Sequence, residues 1–453
     1  MIFVKPMWAN CVFGSSAFRL QPKLGIGIVA ILLFGLTPGN VFGEEWPQIQ
    51  GAHRNNKSSE TGLLGAWPDA GPHLAWSFKN AGIGYSSPAI VSERIYLTGG
   101  RGGKTELFCL NESDGTEMWS LALTEKSFDF EGNSWGAGPR VAPTVDGDMV
   151  YALAGDGTLV CASSDGKLQW KVDMVNDLGG SIKGVDAGEP KTYGWGFCWG
   201  PLVDGEHLIC TPGSTHGEGL IAALDKATGQ VVWRSSDLNE ESTYASPIAA
   251  TIDGVKQFIV MTQFGIAGVA AENGKLLWYY KRERPYSDVV IPTPVCQDGY
   301  VYASTGDGCE LIKVSKSDNG EYVAEEVYAS RNMKNSIGGF VLHEGHLYGT
   351  SDRRGWVCQE LMTGDLEWYQ RSSEVGDGSI IFADGHLYLY GERSAEVSLI
   401  EASTEEFIEK GRFPLPETSQ LLAPSGKNWT RPVISEGKLY LRDQDLLFCY
   451  RIR

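Results

Sequence analysis

Aromatic, cationic and amide side chains are concentrated in or beside segments of the chain that carry no regular hydrophobic pattern. The long segments are residues 120–139 and 172–196, and residues 211–219 and 351–355 are expected on the same side. The candidate ligand-binding residues are Arg140, Tyr193, Trp195, Trp199, His216, Asn332, Lys334, Asn335, Arg353, Arg354, Asp377, Trp429 and Arg431. Rings beside cations and amides can grip an acidic, planar or sugar-like ligand through stacking and charge-assisted hydrogen bonds. The same side chains can also simply fill and solvate a surface, and both interpretations stay open.

Patterns for catalysis or metal binding are weaker, and we expect no catalytic residue and no metal site. His343 and His346 form the only close histidine pair, which is too little for a zinc site. The glycines of residues 99–103 predict a flexible turn, because no helical pattern follows to make a phosphate loop. A hydrolytic protein that cleaves glycans would need two carboxylates roughly 5 to 10 Å apart. The sequence neither shows nor excludes such a pair.

A repeated strand–turn–strand unit must position these side chains. Its most complete copy is residues 219–233, in which an apolar strand, a turn at Thr228-Gly229 and a second strand ending at Trp233 predict a hairpin. Four other copies follow the same order, and residues 73–78 look like a second strand without a first. The tryptophans predicted to dock one unit on another are Trp76, Trp119, Trp170, Trp233, Trp278 and Trp368.

The full unit has four strands, the first of which begins near a proline, as at Pro88, Pro143 and Pro201. Trp278 and Trp368 are far enough apart for two units, one of which would have residues 326–328 as its outer strand, without a tryptophan. The total is eight units, with the last one split between the two chain termini. We therefore predict an all-β, eight-bladed β-propeller over residues 73–453, whose ring is closed by the N-terminal strand and leaves no open sheet edge. A closed ring also predicts a monomer.

The first 43 residues predict export. Lys5, Arg19 and Lys23 precede an uncharged apolar run from Leu24 to Leu36, and small residues follow. We interpret residues 1–43 as a signal peptide and residues 44–72 as an N-terminal extension of a mature protein without a transmembrane segment. This predicts a periplasmic or extracellular location. An uncleaved membrane anchor is the alternative.

The net charge limits the class of partner, and the cysteine positions indicate whether disulfides are present. The chain has 38 basic and 56 acidic residues and a net charge of −18, which argues against nucleic acid or an anionic membrane as the partner. Of nine cysteines, Cys109, Cys161, Cys358 and Cys449 recur at one repeat position, where small buried thiols explain them better than disulfides. Whether Cys198 and Cys210 are bridged stays open.

The unit Ala-x-Asp-x-x-Thr-Gly-x-x-x-Trp, complete at residues 223–233, resembles the docking motif of the pyrroloquinoline-quinone (PQQ) dehydrogenase-like repeat family. Within it, residues 46–48, 195–205, 332–339 and 351–358 are similar to stretches of secreted bacterial PQQ-like repeat proteins, which are related to an outer-membrane assembly lipoprotein. The resemblance covers roughly residues 45–453 and implies the eight-bladed fold. It says less about function, because propellers host unrelated activities.

As function we expect a non-catalytic binding or assembly module that engages a protein or glycan at the rim with the long loops, without a cofactor. The alternative is a quinone-dependent alcohol dehydrogenase with PQQ and calcium. The resemblance implies for such an enzyme a tryptophan floor, which Trp195 or Trp199 could supply, and a carboxylate, which Asp352 or Asp377 could supply. It also implies a disulfide of adjacent cysteines, and the sequence has no adjacent pair.

Overall fold

The computed structural model describes residues 44–129, 133–182, 194–214, 216–287 and 289–453. Within these ranges the chain forms 32 β-strands in eight four-stranded sheets. The signal-peptide prediction for residues 1–43 lies outside them. None of the described residues belongs to a helix that could cross a bilayer.

The strands are named in chain order, and each sheet is one blade. The first strand is β1 (His73–Phe78). Blades 1 to 4 are β2 (Ala89–Val91), β3 (Arg94–Arg101), β4 (Lys104–Asn111), β5 (Glu117–Ala122); β6 (Thr144–Asp146), β7 (Met149–Leu153), β8 (Thr158–Ser163), β9 (Leu168–Asp173); β10 (Leu202–Asp204), β11 (His207–Cys210), β12 (Ala222–Asp225), β13 (Val231–Arg234); and β14 (Ile248–Ile252), β15 (Val255–Thr262), β16 (Gly265–Ala270), β17 (Leu276–Lys281). Blades 5 to 8 are β18 (Val295–Gln297), β19 (Tyr300–Thr305), β20 (Gly308–Lys316), β21 (Tyr322–Ser330); β22 (Phe340–His343), β23 (His346–Ser351), β24 (Gly355–Glu360), β25 (Leu366–Gln370); β26 (Gly378–Ala383), β27 (His386–Gly391), β28 (Glu396–Glu401), β29 (Glu409–Pro414); and β30 (Val433–Ser435), β31 (Lys438–Asp443), β32 (Leu446–Arg451), completed by β1.

The ring closes as the sequence predicts. β1 pairs antiparallel with β32, from His73 opposite Arg451 to Phe78 opposite Leu447, and so becomes the outer strand of blade 8. The pairing removes the edge that β32 would otherwise expose. The molecule is an eight-bladed β-propeller, and the fold prediction is confirmed.

Four of the predicted tryptophans join neighbouring blades by the same bond. Each lies on an outer strand and donates its indole N–H to a backbone oxygen in the turn before the outer strand of the next blade. The bonds run from Trp76 to Glu112 (3.1 Å), Trp119 to Ser164 (3.0 Å), Trp170 to Lys226 (3.1 Å) and Trp368 to Ser403 (2.9 Å). Tyr328 makes the equivalent bond from its hydroxyl to the oxygen of Leu361 at 2.9 Å.

The other two tryptophans pack differently. Trp233 stacks on Phe258 of the next blade, with ring centroids 6.1 Å apart, but its indole nitrogen has no hydrogen-bond partner among the described residues. Trp278 turns back on its own blade and donates to Gln257 Oε1 at 2.6 Å. The repeat position therefore fixes an aromatic anchor, while its hydrogen-bond partner varies.

Residues 44–67 cross the face of the ring that carries the turns between first and second strands, and we call them the base strap. Trp46 exchanges two backbone hydrogen bonds of 2.8 Å with Ile90 of blade 1. Further along, Glu60 Oε2 accepts from the Gly437 nitrogen of blade 8 at 2.7 Å, and the Leu63 nitrogen donates to Asp384 Oδ2 of blade 7 at 2.8 Å. The predicted N-terminal extension is thus an ordered part of the propeller.

Arg54 fastens the base strap inside the ring. This buried guanidinium donates to the backbone oxygens of Gly200 (2.9 Å), Pro201 and Pro247 (3.0 Å), and to Gln48 Oε1 (2.8 Å). Buried cations are tolerated only where such acceptors are supplied. One side chain thereby ties the strap to blades 3 and 4.

Cysteines at the repeat position are buried beside the anchoring rings. Cys109, Cys161, Cys358 and Cys449 lie opposite Trp119, Trp170, Trp368 and Trp76 in their sheets, and all four are free thiols. Burial raises the pKa of each of them. Cys210 is a thiol as well, and no disulfide joins it to Cys198.

Candidate functional site

A cavity of about 320 Å³ opens on the face opposite the base strap. Apart from Ile49, which reaches it from the strap, every described lining residue lies on a connection from one blade's outer strand to the next blade's inner strand. The lining is Ile49, Tyr85, Trp135, Arg140, Trp195, Cys198, Tyr244, Ser246, Val289, Ile291, Thr293, Ser336, Ile337, Trp429 and Arg431. We call this the mouth cavity.

One repeat position supplies much of the lining. In six blades the inner strand is preceded by a proline, and the residue three places before that proline faces the mouth cavity. These residues are Tyr85, Arg140, Cys198, Tyr244, Ile291 and Trp429. Because the blades are related by rotation about one axis, equivalent positions converge on the same central space.

Five aromatic rings line the mouth cavity, in two groups. Trp135 and Trp429 stack with centroids 6.1 Å apart and planes at 28°, and Tyr85 lies 5.3 Å from Trp429. On the other side Trp195 meets Tyr244 edge-on at 5.5 Å. The Tyr85 hydroxyl donates to the Trp135 oxygen at 2.8 Å, which holds the exposed loop against the wall. Such surfaces suit flat or apolar ligand groups.

Arg140 lies between the two aromatic groups. Its guanidinium carbon is 4.5 Å from the centroid of Tyr85 and 5.9 Å from that of Trp195, and Nη2 donates to the Gly136 oxygen at 2.5 Å. Burial lowers its pKa. The Tyr85 hydroxyl and one carbonyl occupy only part of its five N–H donors, so it can still bind an anion.

Arg431 has still fewer partners. None of the described residues forms a hydrogen bond or an ion pair with its side chain, and Nε is buried without an acceptor. Burial alone lowers its pKa to about 10, so the guanidinium remains charged at neutral pH. An unpaired cation in such surroundings is costly unless something else supplies the anion.

A smaller polar pocket of about 190 Å³ shares Trp429 with the mouth cavity and contains Asp352, Asp377 and Glu392. Lys427 pairs with Glu392 Oε1 while the Trp429 indole donates to Oε2 at 3.2 Å. Partial burial, and then the charge of Glu392, raise the pKa of Asp377.

The ammonium group of Lys334 lies 3.0 Å from Asp352. Lysines thus pair with two of the three carboxylates in the polar pocket, and the third, Asp377, forms no ion pair with a described residue. No group of three or more His, Cys, Asp or Glu in the described part of the chain is placed to hold a metal.

Arg353 lies outside the mouth cavity. With Lys334 and Asp352 it lines a groove of about 450 Å³ between blades 5 and 6, together with Arg331, Arg354, Tyr369 and Arg371. Its side chain is 91% exposed and 3.7 Å from Asp352.

Three other candidates serve the framework. Trp199 is fully buried against Phe197, one place beyond the cavity-lining Cys198, because successive residues of an extended segment point to opposite sides. Asn335 is also buried, and its amide holds its own loop through the Gly339 oxygen at 2.8 Å. Asn332 donates to the Gly364 oxygen of blade 6 at 2.8 Å. Tyr193 lies outside the described residues.

Sequence reasoning missed Tyr85, Trp135 and Tyr244 as lining residues. A signal for two of them was present, because Tyr85 and Tyr244 occupy the same place before the proline as Arg140 and Trp429. Trp135 carries no repeat signal, since it belongs to a loop that only blades 1 and 2 share.

This chain is similar to known β-propeller proteins. A family model described as outer membrane protein assembly factor BamB matches residues 68–187 and 103–370. BamB of Yersinia pestis is 23% identical over 267 residues, which are 56% of this chain and 56% of that protein, so the chain spans about half the length of that relative.

Two solved structures share the fold at low sequence identity. BamB from Moraxella catarrhalis has a TM-score of 0.54 and 13% identity over 81% of this chain and 94% of its own. The quinohemoprotein alcohol dehydrogenase of Comamonas testosteroni has a TM-score of 0.59 and 11% identity, covering 90% of this chain and 80% of its own. Because the family match spans residues 68–370, this chain belongs to the BamB family of PQQ-like β-propellers.

Proposed function

We propose that the protein is an exported, non-catalytic binding propeller that engages a polypeptide partner on the face bearing the mouth cavity. The observation that carries this proposal is the difference between the two faces. The base strap covers one face with main-chain bonds to several blades, whereas the other presents an open aromatic and cationic cavity. Function in such folds concentrates where loops surround a concave site.

The side chains of the open face are of the types that bind protein partners. Trp135 is 43% exposed at the cavity edge, and arginine and aromatic side chains are the residues that most often anchor protein interfaces. Membership of a family named for an outer membrane assembly factor supports the same role. We also propose export, on the pattern of residues 1–43, and with it a partner outside the cytoplasm.

Site-specific photocrosslinking in the native cell tests the proposal. A photoreactive amino acid replaces Trp135 at the mouth cavity or, as a matched control, Leu168, which is 53% exposed on the outer strand β9. We expect a discrete polypeptide adduct from position 135 and none from position 168. Equal labelling from both positions, or a glycan adduct alone from position 135, would overturn the polypeptide assignment.

A quinone-dependent dehydrogenase is the second candidate, and the cationic, aromatic cavity is what favours it. Two guanidiniums and stacked indoles suit the carboxylates and ring of a planar quinone. Calcium does not fit there, since the described lining has no carboxylate, and Cys198 is a single thiol. The residues of the mouth cavity thus match only half of a quinone–calcium site.

A further inference from the structure

The mouth cavity combines two guanidiniums with a wall that supplies no counter-charge. None of its described lining residues is an aspartate or a glutamate. The whole chain, by contrast, carries a net charge of −18. A local excess of positive charge in so acidic a protein is a specific feature of this cavity, and an anion is the ligand it would attract.

Arg431 is not required by the fold. It occupies the position immediately before the inner-strand proline, where the other five proline-containing blades have Ser87, Ala142, Gly200, Ser246 and Thr293. Those five blades fold with a small side chain at this position, so a small side chain is sufficient for the structure. The guanidinium is an addition at this one blade.

The surroundings of Arg431 do not satisfy its charge. Its Nε is buried without an acceptor, and burial is the only cause that lowers its pKa. The carboxylates of the neighbouring polar pocket are in part engaged elsewhere, Glu392 by Lys427 and Asp352 by Lys334. The donors of Arg431 are therefore available to a ligand, and a planar fork of this kind matches a carboxylate.

The rest of the wall defines what carries that carboxylate. Trp135, Trp429 and Tyr85 stack on one side, while Trp195 and Tyr244 meet on the other. A volume of about 320 Å³ is at the small end of ligand sites. A compact aromatic or apolar group fits this space, whereas a bulky polar chain would leave the rings without contacts.

We propose that the mouth cavity binds a carboxylate carried on an aromatic or other apolar group, with Arg431 as its principal partner and Arg140 as the second. The inference rests on the proposed function, because it identifies the anchor of the polypeptide partner. Two sources have this chemistry, a chain terminus ending in an aromatic residue and an internal acidic side chain beside one.

Calorimetric titration of the full-length protein tests the anchor. The probes are N-acetylphenylalanine and its amide, in which a neutral carboxamide replaces the carboxylate. We expect the acid to bind at least ten-fold more tightly than the amide, and Arg431→Ser to abolish that difference. Serine stands at the equivalent position in blades 1 and 4, so the variant restores a residue the fold already accepts.

Arg284→Ser is the control, because it removes one exposed positive charge that does not line the mouth cavity. It should leave the preference for the acid unchanged. Equal binding of acid and amide, no binding of either, or an Arg431→Ser variant that binds as the unmodified protein does would each overturn the inference.

Peptides separate the two sources and keep the two proposals distinguishable. A peptide ending in a free phenylalanine carboxylate is compared with its amidated form and with an amidated peptide containing an internal Glu-Phe pair. Loss of binding on amidation, without rescue by the internal pair, identifies a chain terminus. If the photocrosslink from position 135 persists at full yield in Arg431→Ser, the partner binds without this anchor, and the anchor is wrong while the proposed function stands.

Discussion

At the residue scale, Arg431 should lower stability in exchange for ligand binding. Its buried Nε has no acceptor in the described part of the chain, and five equivalent blades accept a small residue there. We expect Arg431→Ser to raise the free energy of unfolding by about 1 kcal/mol at pH 7 without ligand, because a buried unsatisfied donor is removed. Chemical denaturation measures the difference, and a variant less stable than the unmodified protein would contradict this account.

The same substitution has a predicted pH dependence. Burial lowers the pKa of Arg431 from its ordinary value to about 10 on folding, so above pH 10 the unfolded chain binds more protons than the folded one. The stability of the unmodified protein therefore rises through that window relative to Arg431→Ser. The advantage of the variant should be full below pH 10 and shrink above it, and an advantage independent of pH would contradict the unpaired charge.

Asp443 provides a second titration at the opposite end of the pH scale. It is 2% exposed, its Oδ1 has no described partner, and burial raises its pKa. A raised pKa means that stability falls as pH rises from the ordinary carboxyl value to the raised one, and the penalty applies above that interval.

Asp443→Asn should accordingly raise the melting temperature at pH 7 and lose that advantage at pH 3. Asp114 is the control of opposite sign, because hydrogen bonds from Thr116 lower its pKa. Asp114→Asn should lower the melting temperature at pH 7, and parallel behaviour of the two variants would refute the assignments.

At the element scale, the turns that receive the anchoring rings need glycine. Gly115 has a φ of +73°, and a Cβ there would lie 2.5 Å from the Trp76 ring. Gly147 also has a positive φ, +54°, but nothing lies within 4 Å of its Cβ position. Gly147→Ala should cost about 1 kcal/mol for the backbone alone.

Gly115→Ala adds a steric conflict between blades 1 and 8 and should cost about 2–4 kcal/mol in total. Denaturant midpoints compare the two variants directly. A similar loss of stability in both variants would mean that the Trp76 ring does not restrict the residue at position 115.

Which parts of the site the sequence could predict also depends on the elements. The sequence indicates Arg140, Trp195, Trp429 and Arg431 as candidate ligand-binding residues, and all four line the mouth cavity. Trp199 is a candidate from the sequence too, but its ring is buried in the core, because the side chains of an extended connection alternate between the two sides. How far a loop residue lies from the nearest strand does not tell which side it faces. Comparison of the positions three residues before each proline does tell it, because these equivalent positions all face the mouth cavity.

At the scale of the whole molecule, the ring was predictable because each blade repeats the same hydrophobic pattern and its neighbour covers it. The base strap was not predictable, because its residues have no repeat and find their partners across the ring. Arg54, for example, bonds to oxygens of residues 200, 201 and 247. Contacts between residues this distant in sequence leave no local pattern.

Removal of residues 46–78 tests closure. The deletion takes away β1, which pairs with β32, and most of the base strap. We expect a lower melting temperature and association through the exposed edge of β32, measured by calorimetry and light scattering. A truncated protein that stays monomeric with an unchanged melting temperature would show that neither element closes the ring.

The central claim is that the face bearing the mouth cavity binds a polypeptide partner and does not catalyse quinone-dependent oxidation. The most direct measurement is a tryptophan-fluorescence titration of the full-length protein with pyrroloquinoline quinone, with and without calcium, followed by a dye-linked alcohol oxidation assay. We predict that any quenching is independent of calcium, is lost in Arg431→Ser, and brings no oxidation. Saturable quenching that requires calcium and brings alcohol oxidation would contradict the account and make the protein a dehydrogenase.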